Sequence, residues 1–188
     1  MSEPITVAAF AGSLRRKSHN RGLLRAAAEV APDYVTINIV DLSPLPLYNS
    51  ECDGPNAPAP VVEFRNQLAA ADALLIACPE YNYSVTGVLK NALDWASRQP
   101  SPDHAPVMQG KPAAIMGAGG RFGTVRAQSH LRYILLHNDL KVLNKPEIMV
   151  VRSGDCFDGE GNLHDATVRG QVEELINALY KWTIQLRK

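Results

Sequence analysis

Three segments gather residue types that bind anions and flat rings. The run Gly12-Ser13-Leu14-Arg15-Arg16-Lys17-Ser18-His19-Asn20 mixes hydroxyl, amide and cationic groups. Ser13, Ser18 and Asn20 are neutral donors, and Arg15, Arg16 and Lys17 add charge. A turn of this kind opening a helix also offers free backbone N–H groups, so the mixture suits a phosphate monoester. It is neither a Walker loop nor a dinucleotide fingerprint, for it lacks GxxxxGK[ST] and GxGxxG. An N-cap cluster with solvated basic side chains explains the same residues equally well.

The second segment is Pro79-Glu80-Tyr81-Asn82-Tyr83-Ser84. A flat heteroaromatic ring needs apolar faces to stack on and donors at its polar edge. Tyr81 and Tyr83 supply faces; backbone amides, Asn82 and Ser84 supply an edge. A β-turn with packed tyrosines is the competing explanation. The third segment, Gly117-Ala118-Gly119-Gly120-Arg121-Phe122-Gly123, is rich in glycine. That composition signals close approach of the backbone to a ligand, or positive φ angles. The five histidines are scattered, and only His19 falls inside one of these segments.

The surrounding pattern positions all three. Ile5–Ala11 reads as a buried strand, Asn20–Ala31 as a helix closed by Pro32, and Tyr34–Val40 as a second strand. A long proline-rich connection, Leu42–Pro60, follows, and its length suggests that it borders a site. Then come a helix over Val61–Ala71, the apolar strand Ala73–Cys78, a helix over Val85–Arg98 and a loop over Pro100–Gly110. Pro112–Met116 reads as a strand and Thr124–Asn138 as a helix. Lys141–Leu143 and Ile148–Val151 read as one last strand interrupted at Lys145-Pro146. A polar turn over Ser153–Asn162 leads to a terminal helix, Asp165–Leu186, with Asp165 as its N-cap. Strands and helices alternate throughout, which predicts a single α/β domain over residues 1–188 with a mostly parallel five-stranded sheet. Ligands of such sheets sit beyond the carboxyl ends of the strands, and each of the three segments lies at one.

Bulk properties set limits. Of 188 residues, 46% are apolar and 20% charged, and 19 Lys and Arg balance 19 Asp and Glu. Zero net charge argues against a broad cationic field for nucleic acid. No segment reads as a membrane span or a signal peptide, so no membrane partner is expected. Cys52, Cys78 and Cys156 form no zinc spacing or paired framework, which fits a reducing cytoplasm and no bound metal.

The segments GSLRRKSHN, PEYNYSVTGVLKNALDW and HLRYIL with LNKPE resemble the NADPH-dependent FMN reductase family, which includes quinone and chromate reductases. The resemblance extends over nearly the whole chain. It implies a flavodoxin-like three-layer sandwich with strand order 2-1-3-4-5. It implies FMN as cofactor, with Ser13, Arg15, Ser18 and Asn20 on the phosphate and Pro79, Glu80, Tyr81, Asn82, Tyr83 and Ser84 lining the isoalloxazine. The loop containing Gly117 and Gly119 would border the ring from the other side; with Gly117 and Ala118 in place of hydroxyl residues, it has fewer side-chain donors to offer. It further implies NADPH or NADH as hydride donor to flavin N5, without a side-chain catalyst, and a small acceptor such as a quinone, chromate or an azo compound. A homodimer or homotetramer is implied as well. The alternatives are a non-enzymatic flavin electron carrier and a reductase supplying reduced FMN to a monooxygenase.

Overall fold

The computed structural model describes residues 2–98 and 105–187, so residues 100–104 of the expected Pro100–Gly110 loop, His104 among them, lie outside the described residues. The elements are β1 (Ile5–Ala11), α1 (His19–Val30), β2 (Val35–Ile39), α2 (Ala59–Ala70), β3 (Ala73–Ala77), β4 (Glu80–Tyr81) and β5 (Ser84–Val85). They continue with α3 (Gly87–Ala96), β6 (Pro112–Ala118), α4 (Val125–His137), β7 (Lys141–Val142), β8 (Ile148–Val150) and α5 (Ala166–Leu186).

The main sheet is wholly parallel, in the order β2-β1-β3-β6, with β7 and β8 both along the free edge of β6. This is the expected order, except that the fifth position holds two short strands, giving six in all. The break falls where Pro146 has no N–H for the ladder. Lys141 pairs beside Pro112, and Ile148 resumes beside Met116. The second departure is a small antiparallel hairpin, β4–β5, which occupies the segment read as a loop and takes Val85 from the start of the expected helix. Its central residues, Asn82 and Tyr83, have φ of 51° and 63°, the pair of positive values that a tight hairpin turn requires.

Alternation along β1 divides the core. Val7, Ala9 and Ala11 face α1 and α5, whereas Ala8 and Phe10 face α2, α3 and α4. Both faces of the sheet are therefore covered by helices, the three-layer arrangement that near-continuous apolar strands demand. Asp165 caps α5, accepting the Val168 N–H at 2.8 Å. The proline-rich connection is anchored rather than loose. Trp95, fully buried, donates its indole N–H to Pro46 O at 2.8 Å, and Arg65 bridges Trp95 O and the Asp53 carboxylate.

Candidate functional site

Where β1, β3, β6 and β8 end, their following loops enclose a cavity of about 610 Å³. Of the residues singled out in the sequence, Ser13, Arg15, Ser18, Asn20, Pro79, Glu80, Tyr81 and Gly119 line it. Asn82, Tyr83, Ser84 and Gly117 do not. The proline-rich connection, expected to border the site, contributes no lining residue either.

The first loop follows directly from β1. Gly12 continues the ladder with its N–H on Ala77 O at 3.0 Å, and a side chain there would strike Thr86 Oγ1 and Pro79. Thr86 uses its hydroxyl twice: it donates to Gly12 O at 2.6 Å and accepts the Leu89 N–H at 3.2 Å as the N-cap of α3. The first and second loops are thereby fastened together. Ser18 stands at the N-cap of α1 but its side chain makes no capping bond. The first backbone bond of the helix is Gly22 N–H to Ser18 O, so the amides of His19, Asn20 and Arg21 remain available. Ser13 and Ser18 are both more than nine-tenths buried, and neither hydroxyl has a partner among the described residues. Two unpartnered hydroxyls and the free amides of His19 and Asn20 along one cavity form a donor set for an anion, with Arg15 supplying charge.

Asn20 plays a different part. Its side-chain amide is committed in both directions to Ala118, accepting the N–H at 3.0 Å and donating to the carbonyl at 2.8 Å. It ties α1 to the end of β6, while its backbone N–H and the second hydrogen of its amide nitrogen stay unengaged.

The second loop is held by Glu80. Its carboxylate accepts the backbone N–H groups of Arg126 and Ala127 at the start of α4 (3.0 and 3.1 Å) and the Arg126 guanidinium at 3.1 Å. The hairpin turn then carries Tyr83 outward, onto the guanidinium of Arg126 at 4.1 Å, so its ring serves α4 rather than the cavity. Ser84 bonds His130 Nδ1 at 2.9 Å, also outside. Cys78, beneath this loop, is buried; burial and then the Glu80 charge push its thiol up to about 12, so it stays protonated and inert.

In the third loop, close approach is the reason for glycine, but the approach is mostly internal. A Cβ on Gly117 would sit 2.1 Å from Thr124 Oγ1 and 2.5 Å from Cys78 O, and one on Gly119 would sit 2.3 Å from Gly123 O. Gly117 is thus a packing residue behind the wall, and Gly119 belongs to the wall itself.

Sequence reasoning missed the fourth side. It is made by Arg152, Ser153, Gly154 and Asp155; His19 of the first segment and Ala118 and Gly120 of the third complete the lining. Arg152 N–H donates to Gly120 O at 2.8 Å and Ser153 N–H to Gly119 O at 2.9 Å, which zips the loops after β6 and β8 into one wall. The available signal was position alone: Arg152 comes just after the end of a parallel strand. Ser153 Oγ lies 2.9 Å from His19 Nδ1, and the imidazole stacks on Phe157 with centroids 4.5 Å apart. Burial, and secondarily the charge of Arg15, hold His19 below its ordinary value.

A donor-rich anion cradle, an adjoining slot under Pro79–Tyr81 and a glycine wall, all at the switch of an open parallel sheet, suit a mononucleotide. Residues 5–155 match the NADPH-dependent FMN reductase family. The chain belongs to that family. It is 47% identical over 188 residues to an NAD(P)H-dependent FMN reductase of Pseudomonas aeruginosa, each chain covered in full. It is 44% identical to an NADPH:quinone oxidoreductase of Arabidopsis thaliana, covering 97% of this chain and 94% of the relative. Its fold superposes with a TM-score of 0.83 on the flavoenzyme NAD(P)H:(acceptor) oxidoreductase FerB of Paracoccus denitrificans, at 29% identity over 96% of this chain and 98% of the other. This family member is therefore a flavodoxin-like oxidoreductase that uses FMN with NAD(P)H. No helix among its described residues is long and apolar enough to cross a membrane.

Proposed function

We propose that this enzyme takes hydride from NADPH or NADH and passes electrons to a small acceptor of the quinone class, with FMN held in the cavity described above. The observation that supports this most directly is the pair of unpartnered hydroxyls lining the cavity, Ser13 and Ser18, beside the free amides of α1. These hydroxyls open on the cavity and are engaged by no other group among the described residues, so they can donate to a phosphate placed there. Bound FMN supplies the redox chemistry, accepting hydride at N5 and giving up two electrons to the acceptor. The chain supplies the rest. Arg15 and the α1 amides neutralise the phosphate, the Pro79–Tyr81 backbone edges the ring, and Glu80 fixes that backbone through α4.

The test is the visible spectrum of protein incubated with FMN and titrated with NADPH in the absence of oxygen. Bound oxidised flavin that bleaches, and recovers when a quinone is added, is the expected result. Flavin that stays oxidised with either nicotinamide would overturn the reductase reading in favour of a carrier. FMN lost on gel filtration between turnovers would instead favour a reductase that hands reduced FMN to a second enzyme.

The same reading includes a homo-oligomer. Val125, Tyr133 and Leu136 are exposed along one face of α4, with Phe122 beside its N-terminus. Tyr133→Glu with Leu136→Glu is expected to reduce the particle mass by light scattering to that of a single chain while leaving FMN bound.

A further inference from the structure

We propose that His19 is a direct ligand of the bound phosphate, and that its protonation couples capture of FMN to pH; the proposal rests on the FMN reading above.

The geometry assigns His19 this part. It occupies the first position of α1 and lines the cavity beside Ser18 and Arg15. Its ring is fixed on two sides: one face stacks on Phe157 at 8° between planes, and Nδ1 meets Ser153 Oγ at 2.9 Å. Nε2 has no partner among the described residues. Ser153 can donate to Nδ1 of the neutral ring, which places the hydrogen on Nε2, or accept from Nδ1–H of the charged ring. The imidazole can therefore gain a proton without moving, and in both states Nε2 carries an N–H. The anchors are themselves positioned: Ser153 N–H is held by Gly119 O, and Gly161, downstream of Phe157, abuts the backbone of Lys17.

The charges around the ring are unequal. On its own loop, Arg15 and Arg16 are cationic, while Lys17 is paired with Glu160 at 2.6 Å. The segment packed against it brings Arg152 and Asp155, and across the cavity Glu80 is neutralised by Arg126. Burial and Arg15 keep the free-protein imidazole neutral to below its ordinary 6.5. A phosphate dianion between Arg15 and α1 reverses the balance and raises the pKa in the complex. Binding then takes up a proton. Affinity is greatest below the free-protein pKa, falls as pH rises toward the bound-state pKa, and is level above it.

The experiment measures FMN dissociation by the quenching of flavin fluorescence between about pH 6 and 8.5, for the native chain and for His19→Gln, with riboflavin as the probe without phosphate. The native chain is expected to bind FMN about tenfold more weakly at the upper end, one pKa unit being a factor of ten. His19→Gln should retain only the small slope from the phosphate's own second ionisation near about pH 6. Riboflavin should bind with no slope. The second measurement needs no variant: the His19 ring proton, followed by NMR, should titrate at higher pH with FMN than without. Parallel FMN profiles for the two proteins, or a His19 titration unmoved by FMN, would overturn the proposal. Failure of the native chain to bind FMN at every pH would instead overturn the cofactor reading on which it rests.

Discussion

Ser18 is buried, faces the cavity and forgoes the capping bond that its position at the start of α1 offers. A hydroxyl kept free in that way, open to the cavity, is available to an anion. Ser18→Ala is expected to weaken FMN binding about tenfold, since a hydrogen bond to a charged group contributes roughly 1.5–3 kcal/mol. Fluorescence titration checks it, and unchanged affinity would remove Ser18 from the phosphate. Gly117 makes a contrasting case, because its constraint is steric and lies behind the cavity wall. Gly117→Ala drives a methyl into Thr124 and into the immobile Cys78 carbonyl, and overpacking of that kind costs about 1–3 kcal/mol. Gly87, at the first position of α3, has open space where a methyl would go, with no atom within 4 Å. Gly87→Ala is therefore the control: urea denaturation should separate the two variants by at least about 1 kcal/mol.

Among the elements, α2 is fastened to the proline-rich connection by a buried ion pair and to α3 by a hydrogen bond, both made by Arg65. Arg65 on α2 reaches Asp53 at 2.9 Å and the Trp95 carbonyl at 2.8 Å, with both side chains largely excluded from water. Asp53→Ala leaves the guanidinium buried and unpaired, so a loss of about 3 kcal/mol is expected in urea denaturation. Burial alone would raise the Asp53 pKa, but the Arg65 bonds and the Gly54 N–H outweigh it and hold the carboxyl below its ordinary 3.8. The pair's contribution is present above the unfolded-state pKa and is lost as pH falls through the lower folded-state value. None of this pairing was visible in the sequence, whereas the elements themselves largely were. The apolar runs 5–11 and 73–77 and the alternation of strand with helix are dictated by burial on both faces of the sheet. The hairpin at Glu80–Val85 escaped because two-residue strands have no periodicity and Asn82-Tyr83 is not an Asn-Gly turn. The Arg152–Asp155 wall escaped although the strand before it was legible, because nothing in an arginine announces the left-handed backbone that Arg152 adopts at φ 45°. Asn20 shows a different limit: its residue type suits a phosphate, and only the fold reveals that its amide also ties α1 to Ala118.

Across the whole molecule, the cavity is lined by loops from four strands of one sheet, and its walls come from both halves of the chain. Two of those loops are joined by Thr86 to Gly12, two by the bonds of Gly119 and Gly120 to Ser153 and Arg152, and Asn20 crosses between the sets. A ligand that fills the space adds contacts between segments far apart in sequence, and it binds only the folded chain. Such a ligand at about 100 times its Kd adds about 2.7 kcal/mol to stability. For a domain of this size that corresponds to a rise in Tm of about 5–10 °C. Riboflavin at the same concentration should give a clearly smaller rise, because it leaves Ser13, Ser18 and the α1 amides without the anion they are arranged to meet. Differential scanning calorimetry with FMN, riboflavin and inorganic phosphate separates the contributions. Equal shifts from FMN and riboflavin would show that ring contacts alone hold the cofactor, and the role assigned to the first loop would fall with that result.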